Sequence, residues 1–424
     1  MAASGSQLKK ITLAGVVGNI LEWYDFAVFG YFAPLIGLKF FPSESHLASL
    51  IKAFGVFAAG YLMRPLGGVI FGHIGDRLGR KKALQVSVLM MALPTTLLGL
   101  LPTHAQIGIS AAGLLMLLRL IQGVSVGGEL IGSISFVTES APPHKRGFVG
   151  SWTLFSAVGG VMLGSAVATL INFTFDPAAL NAWGWRLPFL PGILVGIFGL
   201  WLRRGLVETP AFERAKQSGQ LQKIPLVEAL RTQWDRILQV SCLVCLLAVG
   251  FYMLFLWWPT YLAHMVRPPV GHALLVNTLA TLFLMALIPL AGWLSDRVGR
   301  KKVLAASSLA MALLAYPLFV VTDFGTVAGA VSAQFVFAVI MSMPEGAMPA
   351  AMVEMFPAHT RLSGVGMGYN ISLAVFGGTT PLVCTWLVHK TGVIAAPAYY
   401  LIAVSAVSLA AALLLPQAAG ESRP

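Results

Sequence analysis

Charge is scarce in this 424-residue sequence: Asp, Glu, Lys and Arg together make up 10% of it, against roughly a quarter in soluble domains. With 57% hydrophobic residues and a mean hydropathy of +0.81, the chain could not cover a water-facing surface, and lipid is the matching solvent. The short alternating segments of an outer-membrane barrel are missing, so the spans are expected to be helices, which satisfy their own backbone in hydrocarbon. Cysteine is nearly absent, with three residues. Cys242 and Cys245 have CxxC spacing but sit in an apolar run that offers no polar setting for metal or redox chemistry. His73, His144, His264, His272 and His359 are scattered without metal-ligand spacing. No G-x-x-x-x-G-K-[ST] loop occurs, which argues against ATP as the driving force. Gly364, Gly366 and Gly368 open a hydrophobic helix with no strand before it, so they are not a dinucleotide fingerprint. Neither an enzyme nor a cofactor-dependent protein is expected.

What the sequence does contain is long apolar runs. Those over Leu47–Ile74, Lys82–Leu101, Ile237–Leu262 and Ala398–Leu415 each suffice for a span of about 20 residues. Helices are predicted over 11–37, 47–74, 82–101, 107–138, 148–172, 187–202, 237–263, 272–294, 303–321, 326–353, 363–388 and 398–415. Met1 to Lys10 is short and polar and the first run is long, so no cleavable signal is expected. The net charge is +12, but it does not form a nucleic-acid patch. Of the 28 Lys and Arg residues, about 21 fall in loops on the side of the N-terminus and about four on the other, which predicts cytoplasmic termini in an inner membrane.

The chain repeats itself. Gly72-His-Ile-Gly-Asp76-Arg77-Leu-Gly-Arg80-Lys-Lys returns 220 residues later as Gly292-Trp-Leu-Ser-Asp296-Arg297-Val-Gly-Arg300-Lys-Lys, with seven of eleven positions identical. Two homologous six-helix halves, 11–202 and 237–415, are predicted, joined by a charged linker, 203–236.

The paired loops, together with Arg119-Leu-Ile-Gln122-Gly123, resemble the major facilitator superfamily. Gly18-Asn19-Ile-Leu-Glu22-Trp23-Tyr24-Asp25-Phe26, Arg64-Pro65-Leu-Gly67-Gly68, Gln122 to Glu129 and Glu354 to Arg361 resemble its metabolite:proton symporter branch. That branch carries proline and betaine, citrate, 2-oxoglutarate or shikimate. The stretch Tyr369-Asn370 to Pro381 is most similar to the proline/betaine members. The resemblance implies an all-α integral membrane fold of twelve helices in two pseudo-symmetric bundles. It also implies proton-driven uptake of a small osmolyte, with a carboxylate such as citrate as the alternative cargo. The fifth helix lacks the Gly-Pro pair common in antiporters of the superfamily, which favours symport. Some osmosensing relatives carry a long heptad tail; the sequence stops at Pro424 without one, which counts against osmotic regulation of that kind and leaves the expectation of transport untouched.

An ionised side chain inside a span costs about 2.5–3.5 kcal/mol on the insertion scale, so each one needs a reason. Glu22 lies twelve residues past Lys10, about 18 Å along a helix. Arg64 lies twelve residues before Asp76, at a matching depth. Glu22, Asp25 and Glu129 are candidate proton-coupling carboxylates; structural ion pairing is the competing reading, and both stand. Candidate substrate contacts are Tyr24, Arg64, Arg119, Gln122, Trp257, Trp258, Glu345 and Asn370. The two tryptophans could face a quaternary ammonium or could be interfacial belt residues. Pro344 and Pro349 are expected either to interrupt the tenth helix around Glu345, baring backbone to a cavity, or simply to kink it with Glu345 near water. Asp76, Arg77, Arg80, Asp296, Arg297 and Arg300 are candidate gating charges that could pair across the halves.

Overall fold

A computed structural model describes residues 5–43, 45–78, 80–204, 225–357 and 360–416, with backbone alone over 5–18, 72–78, 80–81, 83–84, 202–204 and 225–228 and at positions 21, 129, 136, 140, 195 and 199. Among these residues every regular element is helical. Among the described residues nine helices are long and apolar enough to cross a membrane, and three further helices, in the first, third and sixth places, complete twelve spans.

In chain order the spans begin with α1 (Gly5–Phe40), α2 (His46–Leu62 continued by Arg64–Leu78) and α3 (Arg80–Leu100). Next come α4 (Ser110–Ser125 continued by Glu129–Ser140), α5 (Arg146–Thr174) and α6 (Gly192–Arg204). The second half opens with α7 (Trp234–Phe251, Tyr252–Trp257, Trp258–His264), α8 (Ala273–Val298) and α9 (Arg300–Asp323). It closes with α10 (Val327–Glu354), α11 (Arg361–Ser372, Leu373–Gly377, Thr380–Thr391) and α12 (Ala396–Leu413). The stretch 205–224 of the expected linker lies outside the described residues; Pro225–Thr232 is a short helix.

Three expectations need refinement. The fourth span is not one helix: it breaks at Val126–Gly128, where Val124, Ser125 and Val126 run into two glycines. The tenth span is not interrupted. α10 runs unbroken through Pro344 and Pro349; each ring removes one amide donor, but neighbouring helices enclose this turn and hold its course. The seventh and eleventh spans each contain a π-helical stretch, Tyr252–Trp257 and Leu373–Gly377, which leaves carbonyls free for side-chain donors.

Glycine sets how closely the helices of the first half approach. A Cβ on Gly123 of α4 would overlap the Gly60 carbonyl of α2, and one on Gly127 would meet the Gly68 amide. Gly132 on the same helix faces open space, so it has no such packing role. The halves join where α5 lies along α8 and α10, α2 along α11, and α1 along the π-helical part of α7.

Candidate functional site

The buried charges of the first half form two pairs. Asp25 on α1 is 3% exposed and Arg119 on α4 is 0% exposed. Arg119 Nη1 stands 3.6 Å from Asp25 Oδ2 and donates to Gln122 Oε1 at 2.9 Å. Gln122 in turn donates to Asp25 Oδ2 at 2.8 Å, and Thr95 Oγ1 of α3 donates to Asp25 Oδ1 at 2.6 Å. The guanidinium carbon of Arg119 sits 4.5 Å from the Phe26 ring centroid and 4.3 Å from that of Phe29, an aromatic cage that offsets part of its lost hydration. In the second pair Arg64 Nη2 is 3.9 Å from Glu22 Oε1. Arg64 stands over the rings of Trp23 at 5.9 Å and Tyr61 at 5.3 Å. The sequence placed Glu22 and Arg64 at one depth, and they meet.

Between the halves lies a cleft of about 260 Å³. Trp23 of α1 and Leu154, Ala157 and Val158 of α5 form one wall; Leu247, Phe251 and Tyr252 of α7, Glu345 of α10, and Tyr369 and Leu373 of α11 form the other. In this closed arrangement the side chains of the walls fill most of that space, so a cargo can enter only when the walls part. Arg64 is one ring behind the wall, against Trp23, whereas the Asp25–Arg119 cluster is enclosed within the first half.

Other expected contacts lie elsewhere. The Tyr24 hydroxyl donates to the Pro188 carbonyl at 2.9 Å, tying α1 to the entry of α6. Trp257 Nε1 donates to Thr385 Oγ1 at 2.9 Å. Trp258 packs on Tyr261, Phe319 and Phe337 inside the second half. Both tryptophans are 0% exposed, so the belt reading does not describe them either. Asn370 Nδ2 donates to the Gly127 carbonyl at 2.7 Å, which bridges the halves at the break in α4. Of the expected substrate contacts, Glu345 is the one in the wall of the cleft. The side chains of Glu129, Asp76, Arg77 and Arg80 lie outside the described residues.

The cleft is closed at both ends. At the basic-loop end Asp296 of α8 accepts the amides of Gly147 and Phe148, each at 2.8 Å, at the N-terminus of α5. Arg300 Nη2 holds the same carboxylate at 2.8 Å. Arg297 instead stacks on Trp293, its guanidinium carbon 4.1 Å from the ring centroid. Arg361 pairs with Glu139 across the halves at 2.8 Å, a contact that sequence reasoning missed, although Arg361 ends one of the symporter-like motifs. At the other end the freed carbonyls of the α7 π-stretch gather donors from both halves. Tyr31 donates to Phe255 O at 2.6 Å, Asn277 to Phe255 O, Tyr31 Oη and Ser165 Oγ at 3.1 Å each, and Gln334 to Leu254 O at 3.0 Å. Sequence gave no sign of this network beyond the presence of isolated amides in apolar runs. No group of three or more His, Cys, Asp or Glu side chains suited to a metal occurs among the described residues.

Two helical bundles around a central cleft, with separate closures at its two ends, define a membrane transporter rather than an enzyme. Residues 11–233 match the family model described as Sugar (and other) transporter, and residues 270–424 match that of the Major Facilitator Superfamily. The chain belongs to the major facilitator superfamily. It is 37% identical over 98% of its length to the glycine betaine/proline/ectoine/pipecolic acid transporter OusA of Dickeya dadantii, covering 84% of that protein. It is 36% identical to the proline/betaine transporter of Escherichia coli K12, with 98% and 85% of the two chains covered. Among solved structures, the partially occluded inward open xylose transporter XylE of E. coli superposes with a TM-score of 0.77 at 20% identity, covering 99% of this chain and 100% of that one. That likeness concerns the fold alone.

Proposed function

We propose that the protein takes up a small zwitterionic osmolyte, proline or glycine betaine, together with a proton across the inner membrane, with both termini cytoplasmic. The reading rests above all on identity of 35–37% along nearly the whole chain to proteins described as transporters of proline and betaine. The cleft supports it. Its walls are largely aromatic and aliphatic, and it has a carboxylate on one face with a guanidinium just behind the other. A purely anionic cargo such as citrate would bring no positive charge for Glu345 to hold and would meet like charge whenever that carboxylate is ionised.

Alternating access follows from the two closures: opening one while keeping the other exposes the cleft to one side at a time. The proton gradient is the driving force, and the carboxylates of Glu22, Asp25 and Glu129 are the proposed coupling groups. Protonating Asp25 would remove the charge that Arg119 and Gln122 now hold and let α1 and α4 shift against each other.

Uptake into proteoliposomes under an imposed pH gradient tests this reading. Radiolabelled proline and betaine should accumulate when the outside is acidic, and citrate and 2-oxoglutarate should not. Accumulation that a protonophore leaves unchanged would remove proton symport; accumulation of citrate instead would replace the cargo.

A further inference from the structure

We infer that Glu345 seats the positively charged nitrogen of the cargo against a wall of Trp23, Phe251, Tyr252 and Tyr369. This rests on the cargo class proposed above and assigns its subsite.

The first observation is the isolation of the carboxylate. Glu345 is 2% exposed and lines the cleft, yet no hydrogen bond or ion pair from a described residue holds it. Among the described residues, the other deeply buried carboxylates of the spans, Glu22 and Asp25, each have an arginine within 4 Å. A bare carboxylate in such a place is costly unless a proton or a cation neutralises it, so the position is suited to a ligand that brings a positive charge when the proton leaves.

The second observation is independent. Two buried polar groups in the same walls, Trp23 Nε1 and the Tyr369 hydroxyl, have no partner. Both can donate a hydrogen bond, and Arg64 is within electrostatic reach behind Tyr369 and Tyr252. The cleft therefore brings an acceptor of positive charge and donors for a negative group into one set of walls. That is the pattern of a small zwitterion.

The third concerns the rings. Trp23 lies 6.1 Å from Phe251 and 6.2 Å from Tyr252, centroid to centroid. A methylated ammonium cannot donate hydrogen bonds, and aromatic faces attract it through their quadrupoles. Local backbone keeps the carboxylate in place. Glu345 lies between Pro344 and Gly346, and a Cβ on Gly346 would collide with the Gly292 amide and the Ile288 carbonyl of α8. α10 is thus pressed against α8 at the residue next to the carboxylate.

The experiment compares two competitors for counterflow of radiolabelled glycine betaine by the full chain in proteoliposomes. One is unlabelled glycine betaine. The other is 3,3-dimethylbutyrate, which has the same shape with carbon in place of the charged nitrogen. In the wild type, betaine should compete at least about tenfold better. Glu345→Gln, a neutral isostere at a position without partners, should bring the two within about twofold. Tyr369→Phe should keep the preference while raising half-saturation about fivefold. Glu345→Gln retaining the full preference overturns the assignment. So does a wild type that accepts both competitors equally, a result that requires no variant. A wild type that transports neither betaine nor proline removes the cargo class itself and the subsite with it, and is distinguished from the other outcomes by the missing uptake.

Discussion

The Asp296 carboxylate receives the backbone amide of Gly147 across the junction of the two halves, at 2.8 Å. The contact is possible because both chains are bare there. A Cβ on Gly147 would collide with the Gly292 carbonyl and Ser295, and one on Gly292 with the Gly147 carbonyl and Ser151. The carboxylate also faces the positive end of the α5 dipole. One residue from the repeated loop of the second half therefore latches the first half directly.

Asp296→Asn should loosen this closure. Hydrogen bonds to a charged group contribute about 1.5–3 kcal/mol each, and Asn retains one acceptor oxygen, so a loss near the lower figure is expected. A cysteine placed at the buried Ser151 should react with a soluble maleimide about tenfold faster in the Asn variant. Unchanged reactivity would show that Arg361–Glu139 alone keeps this end shut.

The opposite end should respond to Asn277→Ala. Asn277 donates to three acceptors and accepts from Gln334 at 2.6 Å. Its loss removes the link between Gln334, Ser165 and Phe255 O while Tyr31 still holds Phe255 O and Gln334 still holds Leu254 O, a cost of about 0.5–1.5 kcal/mol per bond lost. Labelling of a cysteine at Ser165 by an impermeant reagent added from that side should rise, while Tyr31→Phe should give a smaller increase.

Asp25→Asn should lower thermal stability. It leaves Arg119, 0% exposed, without its counter-charge, and breaking a buried pair from one side costs about 3–5 kcal/mol. Adding Arg119→Gln should recover much of that stability. The double variant then separates the two readings of the pair: if it melts like the wild type but no longer concentrates cargo against its gradient, the pair couples the proton. Normal concentrative uptake by a stable double variant would make the pair purely structural.

Gly123→Val should prevent proper assembly, because the added carbons overlap the Gly60 backbone and α2 cannot move away without leaving α4. Gly132→Ala, which faces open space, should express and melt like the wild type. Comparing the melting curves of the two purified variants checks the contrast.

Much of the architecture was legible because hydrocarbon imposes a simple rule. Runs of about 20 apolar residues must be helices, and the repeat from Gly72 to Gly292 exposed the two halves. The meeting of Glu22 with Arg64 was legible too, since depth along a helix is a matter of counting. Direction around the helix was not. Trp257 and Trp258 were candidates for the cargo wall, and they turn into the second half. A π-helical stretch holds one residue more per turn than the sequence pattern assumes, which swings the residues beyond it by about 100°.

The sequence by itself determined that this is a helical membrane protein built twice over, with carboxylates and guanidinium groups sunk in its spans, because length, hydropathy and repetition depend only on the order of residues. The tertiary structure alone decided which of the described charges are neutralised within a bundle and that Glu345 faces the cleft between bundles. That choice depends on the rotation and separation of packed helices, and these are set by glycine contacts, π-helical stretches and cross-helix hydrogen bonds between residues far apart in the chain.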